Sequence, residues 1–266
     1  MKEKSKSLLF KILPQGFKNI IRNVLYGKSV DEVSIVGQLF RNAFGAQYTM
    51  LDVGAHHGST CIPFARKDWK VYAFEPDVEN RVVLEERRGD LNNIHIDSRA
   101  VSDESNQNVA FYTSDVSTGI SGLSSFHDSH RKAAEVKTIR LDDFCNQHDI
   151  QKVDFLKIDT EGYELMVLKS YDWKHQVHPQ FIIAEFENRK TIPLGYTLND
   201  LIQFLEDKGY AVLISEWHPI IEYGRTHKWS RFTWDQESVT NERAWGNIIA
   251  CKGGDIDRIK SAIAKV

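Results

Sequence analysis

Apolar residues recur along the chain in short runs that alternate with segments of helical spacing. The runs near Met50, Val71 and Ile94 predict three buried strands, and a helix is predicted after each of the first two. Helices separate most of the later strands, and a non-helical arm joins the last two. This order favours an α/β fold with a mainly parallel sheet and one antiparallel strand. The later strands are predicted at residues 108–112, 135–141, 153–159, 181–187, 211–217 and 247–251.

Residues 48–75 combine an apolar strand, a glycine turn, a helix and a second strand that ends on an acid. The turn reads Asp52-x-Gly54-x-x-x-Gly58, and the acid is Glu75. This spacing differs from the Gly-x-Gly-x-x-Gly pattern that binds the pyrophosphate of a dinucleotide. The unit therefore predicts a nucleotide-like ligand, but not a dinucleotide.

A phosphate group is not favoured at this turn, because Asp52 would repel it and no Lys or Arg lies between Arg41 and Arg66 to offset the repulsion. A ligand with a cationic amine and a ribose fits better, since Asp52 can lie near the ammonium group and Glu75 can accept hydrogen bonds from both ribose hydroxyls. S-adenosylmethionine is such a ligand. The alternative is that the glycines serve only a tight turn and close helix packing, with Glu75 as a solvated strand end.

The composition fits one globular domain and argues against several other classes of protein. The 266 residues carry a net charge of -3, which does not suggest the broad basic face that nucleic acid requires. The three cysteines are far apart in the sequence, so neither a disulfide scaffold nor a zinc site is predicted, and they suit a reducing cytoplasm. We expect an N-terminal helical extension over residues 1–46, a main domain over 47–253 and a C-terminal helix over 254–266.

The N-terminal segment is basic and amphipathic. Apolar residues recur at helical spacing over residues 8–25 with Lys and Arg between them, and Pro14 is expected to split the segment into two helices. Its apolar side can pack on the main domain, lie on an anionic membrane surface or dock a partner, and the sequence leaves these open. A further helix is predicted from a capping box at residues 29–32 to Gly45.

Acidic residues follow several of the other predicted strands. Asp97 ends the third strand, Asp159 and Glu161 follow the strand at 153–159, and Glu185 lies near the end of the next. Because the carboxyl ends of parallel strands form the ligand crevice of such sheets, these acids are expected near one site. The polar segment 113–130 is long for a loop and is expected to cover part of that site.

The arm between the last two strands is rich in aromatic and basic residues. Aromatic faces with polar tips suit stacking on sugar rings, and basic groups suit an acidic group on a substrate. Packing of a hairpin onto the sheet is the alternative. The residues concerned are Trp217, His218, Tyr223, Arg225, His227, Lys228, Trp229, Arg231, Phe232 and Trp234.

Five motifs together resemble one family, the FkbM-type S-adenosylmethionine-dependent methyltransferases. The similarity covers roughly residues 48–188, and its most specific part is the stretch Lys157-Ile158-Asp159-x-Glu161-Gly162-x-Glu164. The motifs are Leu51-Asp52-Val53-Gly54-Ala55-x-x-Gly58, Phe74-Glu75-Pro76, Ala100-Val101-Ser102-Asp103, Leu141-Asp142-Asp143 and residues 155–164.

The resemblance implies a class I methyltransferase fold, Rossmann-like with a seven-stranded sheet, and O-methylation of a sugar or natural product. His56 departs from the family, which more often has Asn there, so the contacts of this turn are left open. The implied cofactor-binding residues are Asp52, Gly54, Ala55, His56, Gly58, Glu75, Pro76, Asp97, Ala100 and Asp159. The implied catalytic residues are Asp159, Glu161 and Glu185.

The chemistry implied by the resemblance leaves several interpretations open. Methyl transfer to a hydroxyl oxygen depends on orientation and benefits from a base, for which Glu161 and Asp159 are the first candidates. Glu161 can instead be a first-turn acid that the helix dipole favours. Asp159 with Glu187 and Asn188 can instead form a magnesium site. A non-catalytic module that binds S-adenosylmethionine or a glycan, and an amine, RNA or lipid acceptor, are the remaining alternatives.

Overall fold

The central strands are apolar on both faces, which is typical of strands that are covered by helices on each side. The computed structural model describes residues 29–40, 47–114, 119, 121–220 and 227–266. In it the central strands belong to one large sheet, and three further strands form a small sheet. The strands are β1 (Thr49–Val53), β2 (Lys70–Phe74), β3 (Ile94–Asp97), β4 (Ala100–Val101), β5 (Asn108–Ser114), β6 (His130–Ile139), β7 (Phe155–Ile158), β8 (Phe181–Glu187), β9 (Tyr210–Trp217), β10 (Trp229–Thr233) and β11 (Trp245–Lys252).

The large sheet has eight strands in the order β10-β9-β11-β8-β7-β1-β2-β3. Strands β3, β2, β1, β7 and β8 pair in parallel, whereas β11 is antiparallel to β8 and β9, and β10 is antiparallel to β9. The predicted α/β class with a mainly parallel sheet is confirmed. The sheet carries one strand more than predicted, because part of the aromatic arm forms β10 at the edge and so adds a second antiparallel strand.

Strand β1 lies at the point where the strand order reverses. The chain continues from β1 to β2 on one side, and β7 pairs with β1 on the other. Ligands of open α/β sheets bind at the carboxyl ends of the strands at such a point. The fold therefore predicts a ligand site at the turn after Val53.

A small three-stranded sheet, β4-β6-β5, lies beside the carboxyl end of the large one. Strands β5 and β6 form an antiparallel hairpin, and an isolated bridge between Tyr112 and Gly122 pulls part of the connecting loop back onto it. The loop thereby comes to lie next to the turn that follows β7, because a Cβ atom on Gly122 would lie 3.3 Å from the Cβ atom of Glu161.

The helix at Val78–Arg88 begins where a polar side chain binds free backbone amides. The carboxylate of Asp77 accepts hydrogen bonds from the amides of Glu79 and Asn80, as the sequence predicts for this helix. The helices are α1 (Glu32–Leu39), α2 (Cys61–Ala65), α3 (Val78–Arg88), α4 (Leu141–Gln147), α5 (Glu164–Lys169), α6 (Asn188–Thr191), α7 (Leu198–Glu206) and α8 (Ile256–Ile263).

Helix α1 differs from its prediction at both ends. Asp31, and not Ser29, is its N-terminal cap, because the Asp31 carboxylate accepts a hydrogen bond from the amide of Ser34. The helix ends at Leu39, and the predicted end at Gly45 lies outside the described residues. The amphipathic segment over residues 8–25 lies outside them as well.

The described part of the predicted extension packs into the core of the main domain. Val36 is fully buried, and the ring of Phe40 makes edge contacts with Trp69 and Phe181. Ile259 of the C-terminal helix belongs to the same buried cluster. The domain as folded thus includes residues on both sides of the predicted 47–253 range. Among the described residues, no helix is long and apolar enough to cross a lipid bilayer.

Candidate active site

A cleft opens at the carboxyl ends of β1, β2 and β7, and we call it the central cleft. It encloses about 870 Å³ of space, its open mouth included. Most of the residues that the sequence predicts for a site contribute to its walls. These are Gly54, Ala55, His56, Glu75, Pro76, Ala100, Asp159 and Glu161.

The turn after β1 needs glycine because two other strands approach it closely. Gly54 has a φ of 80°, and a Cβ atom there would lie 1.8 Å from the carbonyl oxygen of Asp159. The amides of Gly54 and Ala55 both donate to the carbonyl oxygen of Phe74, at 3.1 and 3.0 Å. The turn therefore lies directly against the ends of β2 and β7, and this close approach forms the floor of the cleft.

Glu75 follows β2 and is 5% exposed. Its carboxylate accepts hydrogen bonds from the amide of His56 at 2.6 Å and from the amide of Asp77 at 2.9 Å. Burial nevertheless raises the pKa of Glu75 to about 7. Each carboxylate oxygen can accept more than one hydrogen bond, so Glu75 remains able to bind hydroxyl groups of a ligand in the cleft.

Lys157 brings a positive charge to the glycine turn. It lies opposite Asp52 in the β1/β7 pairing, and its ammonium group is 3.4 Å from Asp52 and 3.2 Å from Asp159. It also donates to the carbonyl oxygen of Gly54 at 2.9 Å. The prediction that no basic group lies near this turn was therefore wrong, because the lysine comes from a strand more than 90 residues further along the chain.

Four of the predicted site residues do not line the central cleft. Asp52 is fully buried beneath it, where burial raises its pKa in spite of Lys157. Gly58 has a φ of 76° and allows the turn to pack on α2 and α3. Glu185 lies behind the cleft wall, beside Lys190. The fourth residue, Asp97, is described next.

Asp97 is held by Arg99 of its own segment. The guanidinium group donates to its carboxylate, with the shortest bond at 2.6 Å. Although burial alone would raise it, these hydrogen bonds keep the pKa of Asp97 below its usual value. The family resemblance implies that Asp97 lies by the adenine of the donor, and such a contact would have to share this carboxylate with Arg99.

The turn after β7 projects Glu161 toward the cleft. Glu161 has a φ of 59° and precedes α5, so the interpretation as a first-turn helix acid was wrong. The carboxylate of Glu164 fixes this turn, since one of its oxygens accepts hydrogen bonds from the amides of Thr160 and Gly162 and from the Thr160 hydroxyl. Tyr196 donates to the other oxygen at 3.0 Å. Glu164 is 1% exposed and therefore positions Glu161 without lining the cleft.

Lys190 lies behind Glu161 in a cluster of acids. Its side chain is 2% exposed, and it forms ion pairs with Glu161, Glu185 and Glu187. Burial raises the pKa of Glu161 to about 7, although Lys190 opposes this shift. Sequence reasoning did not find Lys190, because its place in the site depends on a short helix that folds back over β8. The only signal is a lysine three residues after the acid that ends the strand.

The described part of the polar loop at 113–130 lies over this end of the cleft. Gly119, Ser121, Gly122 and Leu123 contribute to its walls. The ring of Phe126 faces the ammonium group of Lys190 at 5.2 Å. The loop thereby helps to shield the buried charges from water.

Two of the three indole groups of the aromatic arm, and that of Trp245 in β11, bind the protein itself, whereas Trp234 is 38% exposed. The ring N–H groups of Trp217, Trp229 and Trp245 donate to Glu32, Ser215 and the carbonyl oxygen of His218. These contacts are those of a hairpin that packs on the sheet, and none of the three tryptophans lines the central cleft. Tyr223 and Arg225 lie outside the described residues.

The magnesium site suggested by the sequence is not assembled. Asp159 pairs with Lys157, Glu187 pairs with Lys190, and the side-chain oxygen of Asn188 accepts a hydrogen bond from the amide of Leu198. Each of these three residues is thus engaged by another part of the protein.

The sequence matches a known protein family over more than half of its length. The model of the methyltransferase FkbM domain matches residues 52–212. The chain belongs to the FkbM methyltransferase family. The match includes the glycine turn, Glu75 and the whole Lys157–Glu164 motif, and it identifies the protein as an S-adenosylmethionine-dependent methyltransferase. The predicted family and enzyme class are confirmed.

Similar folds occur among solved structures of methyltransferases, at low identity. A precorrin-6y C5,15-methyltransferase from Geobacter metallireducens GS-15 is 13% identical, with 83% of this chain and 87% of that chain covered and a TM-score of 0.43. Magnesium protoporphyrin IX methyltransferase from Synechocystis PCC 6803, with bound S-adenosylhomocysteine, is 11% identical over 93% of this chain and 99% of that chain, with a TM-score of 0.43. No curated protein matches the sequence significantly. At such distances the acceptors of these enzymes say nothing about the acceptor of this chain.

Proposed function

We propose that this FkbM methyltransferase transfers the methyl group of S-adenosylmethionine to a hydroxyl oxygen of a sugar, glycan or natural product, with Glu161 as the base. The observation that carries the proposal is the arrangement of Glu75 and Glu161 on the same cleft. Both are buried carboxyl groups, and burial raises the pKa of each to about 7. Glu75 suits the ribose of the donor, and Glu161 suits the hydroxyl group of the acceptor.

The residues of the cleft fit the donor. Glu75 offers acceptor capacity for the ribose hydroxyls, and Gly54 lets the turn after β1 lie directly against the backbone of Asp159, so that both line the same cleft. Asp159 is 42% exposed and offers a carboxylate to the cationic end of the ligand. We assign the methionine end to the Gly54 turn and Asp159, and the ribose to Glu75. When bound, the donor supplies an electrophilic methyl group.

A second cleft gives room for the adenine base. It continues from the central cleft and shares with it Pro76, Phe111 and Ser121. Because Pro76 follows Glu75 directly, a nucleoside whose ribose is held by Glu75 can extend its base past Pro76. Asp97 receives no direct contact in this assignment, since Arg99 holds its carboxylate.

Glu161 is suited to accept a proton from an alcohol. A base works best when its pKa lies near the working pH, and at a pKa of about 7 Glu161 is partly ionised at neutral pH. Glu164 holds its backbone and Lys190 contacts its carboxylate, so the group is positioned on two sides. These residues orient the base and keep water away from it, which is most of what methyl transfer requires of a protein.

The hydroxyl acceptor is supported by the acidic character of the site. An alcohol must lose its proton as it attacks, whereas a neutral amine is already a nucleophile. Small-molecule or glycan acceptors are favoured over nucleic acid, because the chain has a net charge of -3 and a polyanion would meet Asp159 and Glu161 at the cleft.

Two experiments test the proposal. Calorimetric titration with S-adenosylhomocysteine should show binding that Glu75→Ala abolishes and that Glu86→Ala, a change at an exposed residue of α3 outside both clefts, leaves intact. A methyl-donor consumption assay over a panel of sugars, glycans, amines and RNA should then find turnover only with hydroxyl acceptors.

The role of Glu161 is tested with the best acceptor. We expect Glu161→Gln to lower kcat by about 100-fold or more, as for loss of a general base, with little change in donor affinity. Glu206→Gln, at an exposed position of α7, is the matched control. Turnover with an amine or RNA alone, or full activity of Glu161→Gln, would contradict the assignment. Donor binding without any turnover would favour a non-catalytic module.

A further inference from the structure

A buried ammonium group lies at the centre of an acidic cluster. Lys190 belongs to the short helix α6, which folds back over the end of β8. Its Nζ atom is 2.9 Å from Glu187 and 3.1 Å from Glu185, and it is closer still to Glu161. With 2% of its side chain exposed, Lys190 has little contact with water. Its charge is therefore balanced by the protein itself.

The charges of this cluster keep Lys190 protonated. Burial disfavours the ammonium form, but Glu161, Glu185 and Glu187 together hold the pKa of Lys190 well above its usual value. Burial raises the pKa of Glu185 well above its usual value at the same time. Lys190 thus faces three carboxyl groups, of which Glu187 is also paired with Arg189 at 3.2 Å.

The same oxygens have the spacing of a hard-cation site. Carboxylate oxygens of Asp159, Glu161 and Glu185 lie within 4.8 Å of one another. Mg²⁺ and Ca²⁺ bind such oxygens at about 2.0–2.6 Å. The ammonium group of Lys190 already binds two of these three carboxylates, so a divalent ion among them would compete with it.

We infer that Lys190 is the internal cation of the active site, and that its ammonium group takes the place of a divalent metal ion beside Glu161, Glu185 and Glu187. The ammonium group positions the Glu161 carboxylate toward the cleft, so that methyl transfer needs no metal. Lys190 is a positioning residue, since it does not line the central cleft. The inference rests on the proposed role of Glu161 as base.

The surroundings of Glu161 explain why this charge matters. Gly122 packs against its side chain, and Phe126 faces Lys190, so the pair is shielded from water. In such surroundings a neighbouring charge acts strongly on a carboxyl group. Loss of the ammonium charge should raise the pKa of Glu161 further. The charged groups around Glu161 are Asp159 and Glu164 from its own segment, Lys157 from β7, Glu185 and Glu187 from β8, and Lys190 from α6.

The decisive experiment compares the wild type with Lys190→Ala and Lys190→Met. The wild type should keep full activity in EDTA, gain nothing from Mg²⁺ or Mn²⁺, and leave Mn²⁺ free in solution at about 1 mM by electron paramagnetic resonance. Lys190→Ala should lose activity and regain part of it with Mn²⁺ or with ethylammonium, which refills the vacated position. Lys169→Met, at an exposed position of α5, is the matched control.

The pH profile separates a positioning role from a merely structural one. In Lys190→Met the acidic limb of kcat should move to higher pH by about one unit or more. An unshifted profile in Lys190→Met, or a wild type that requires a divalent ion, would overturn the inference.

The inference can fail separately from the proposed function. Mn²⁺ binding and a carboxyl ¹³C NMR titration of Glu161 need no acceptor. They therefore test whether Lys190 acts as the internal cation even if no turnover is found. If Lys190→Met does not fold, the double variant Glu185→Gln/Lys190→Met removes both charges of one pair and should bind S-adenosylhomocysteine. The wild-type Mn²⁺ measurement stands in either case, and tight binding of one ion at Glu161 would refute the inference.

Discussion

Donor binding should depend on pH through Glu75. In the free protein, burial raises the pKa of this carboxyl group to about 7, although the amides of Asp77 and His56 favour its ionised form. The protonated form therefore dominates below that pH. Only the ionised form has both oxygens available as acceptors for two ribose hydroxyls. Binding of the nucleoside should thus require loss of the proton, and affinity should rise with pH.

The magnitude follows from the fraction of Glu75 that is ionised. With a pKa of about 7, roughly one Glu75 in ten is ionised at a pH of about 6 and roughly nine in ten at a pH of about 8. Apparent affinity scales with the fraction in the competent form, so it should rise about tenfold across this range. The change corresponds to about 1.4 kcal/mol of binding free energy.

Isothermal titration with S-adenosylhomocysteine in buffers of different ionisation enthalpy measures both the affinity and the protons released. Nearly one proton should be released per ligand at the acidic end of the range. Glu75→Gln should bind weakly, without the tenfold rise. The ionisation of the ligand is common to all variants and cancels in the comparison.

Two further variants exclude other groups that titrate nearby. His56 lines the same cleft, and burial lowers its pKa, so His56→Asn should preserve the rise. Glu161→Gln should preserve it too, since Glu161 is not assigned to the ribose. An affinity that stays constant with pH in the wild type, or a rise that survives in Glu75→Gln, would refute the reasoning.

Three substitutions should separate the structural parts of the site. Gly54→Ala should abolish donor binding and lower the free energy of unfolding, measured in urea, by at least about 2 kcal/mol, because its Cβ would overlap the carbonyl oxygen of Asp159. A stable variant that binds the donor would contradict this prediction. Glu164→Ala should cost about 2–4 kcal/mol by leaving buried donors unpaired, which thermal unfolding measures, and an unchanged Tm would argue against its positioning role. Glu32→Ala should cost about 1–3 kcal/mol and change the fluorescence of Trp217, whose indole N–H it leaves unpaired; unchanged stability and emission would show that the contact is dispensable.

The sequence predicted well the features that depend on neighbours in the chain. The strand at 181–187 matches β8 at both ends, and Asp77 caps α3 as expected. The glycine turn and Glu75 lie on one cleft because a strand, a tight turn, a helix and a parallel strand bring the carboxyl ends of both strands together. Such motifs encode their own structure in consecutive residues.

Features that depend on tertiary pairing were missed. Lys157 reaches the glycine turn only because β7 pairs with β1 in a register that sets it opposite Asp52. Lys190 reaches Glu161 only because α6 folds back over β8. Trp217 donates to Glu32 of α1, and Trp229 donates to Ser215 of the neighbouring strand β9. A side chain's partner from another element cannot be inferred from spacing in one segment.

The contact between Glu32 and β9 has a practical consequence for anyone who trims this protein. A fragment that starts at residue 47, the predicted start of the main domain, would lack Val36 and Phe40. It would expose the apolar surface that these residues cover. It would also leave the hydroxyl of Ser215 and the indole of Trp217 without their shared acceptor. Shortened versions should therefore keep Asp31 and everything after it, because loss of α1 would destabilise the domain whose activity is to be measured.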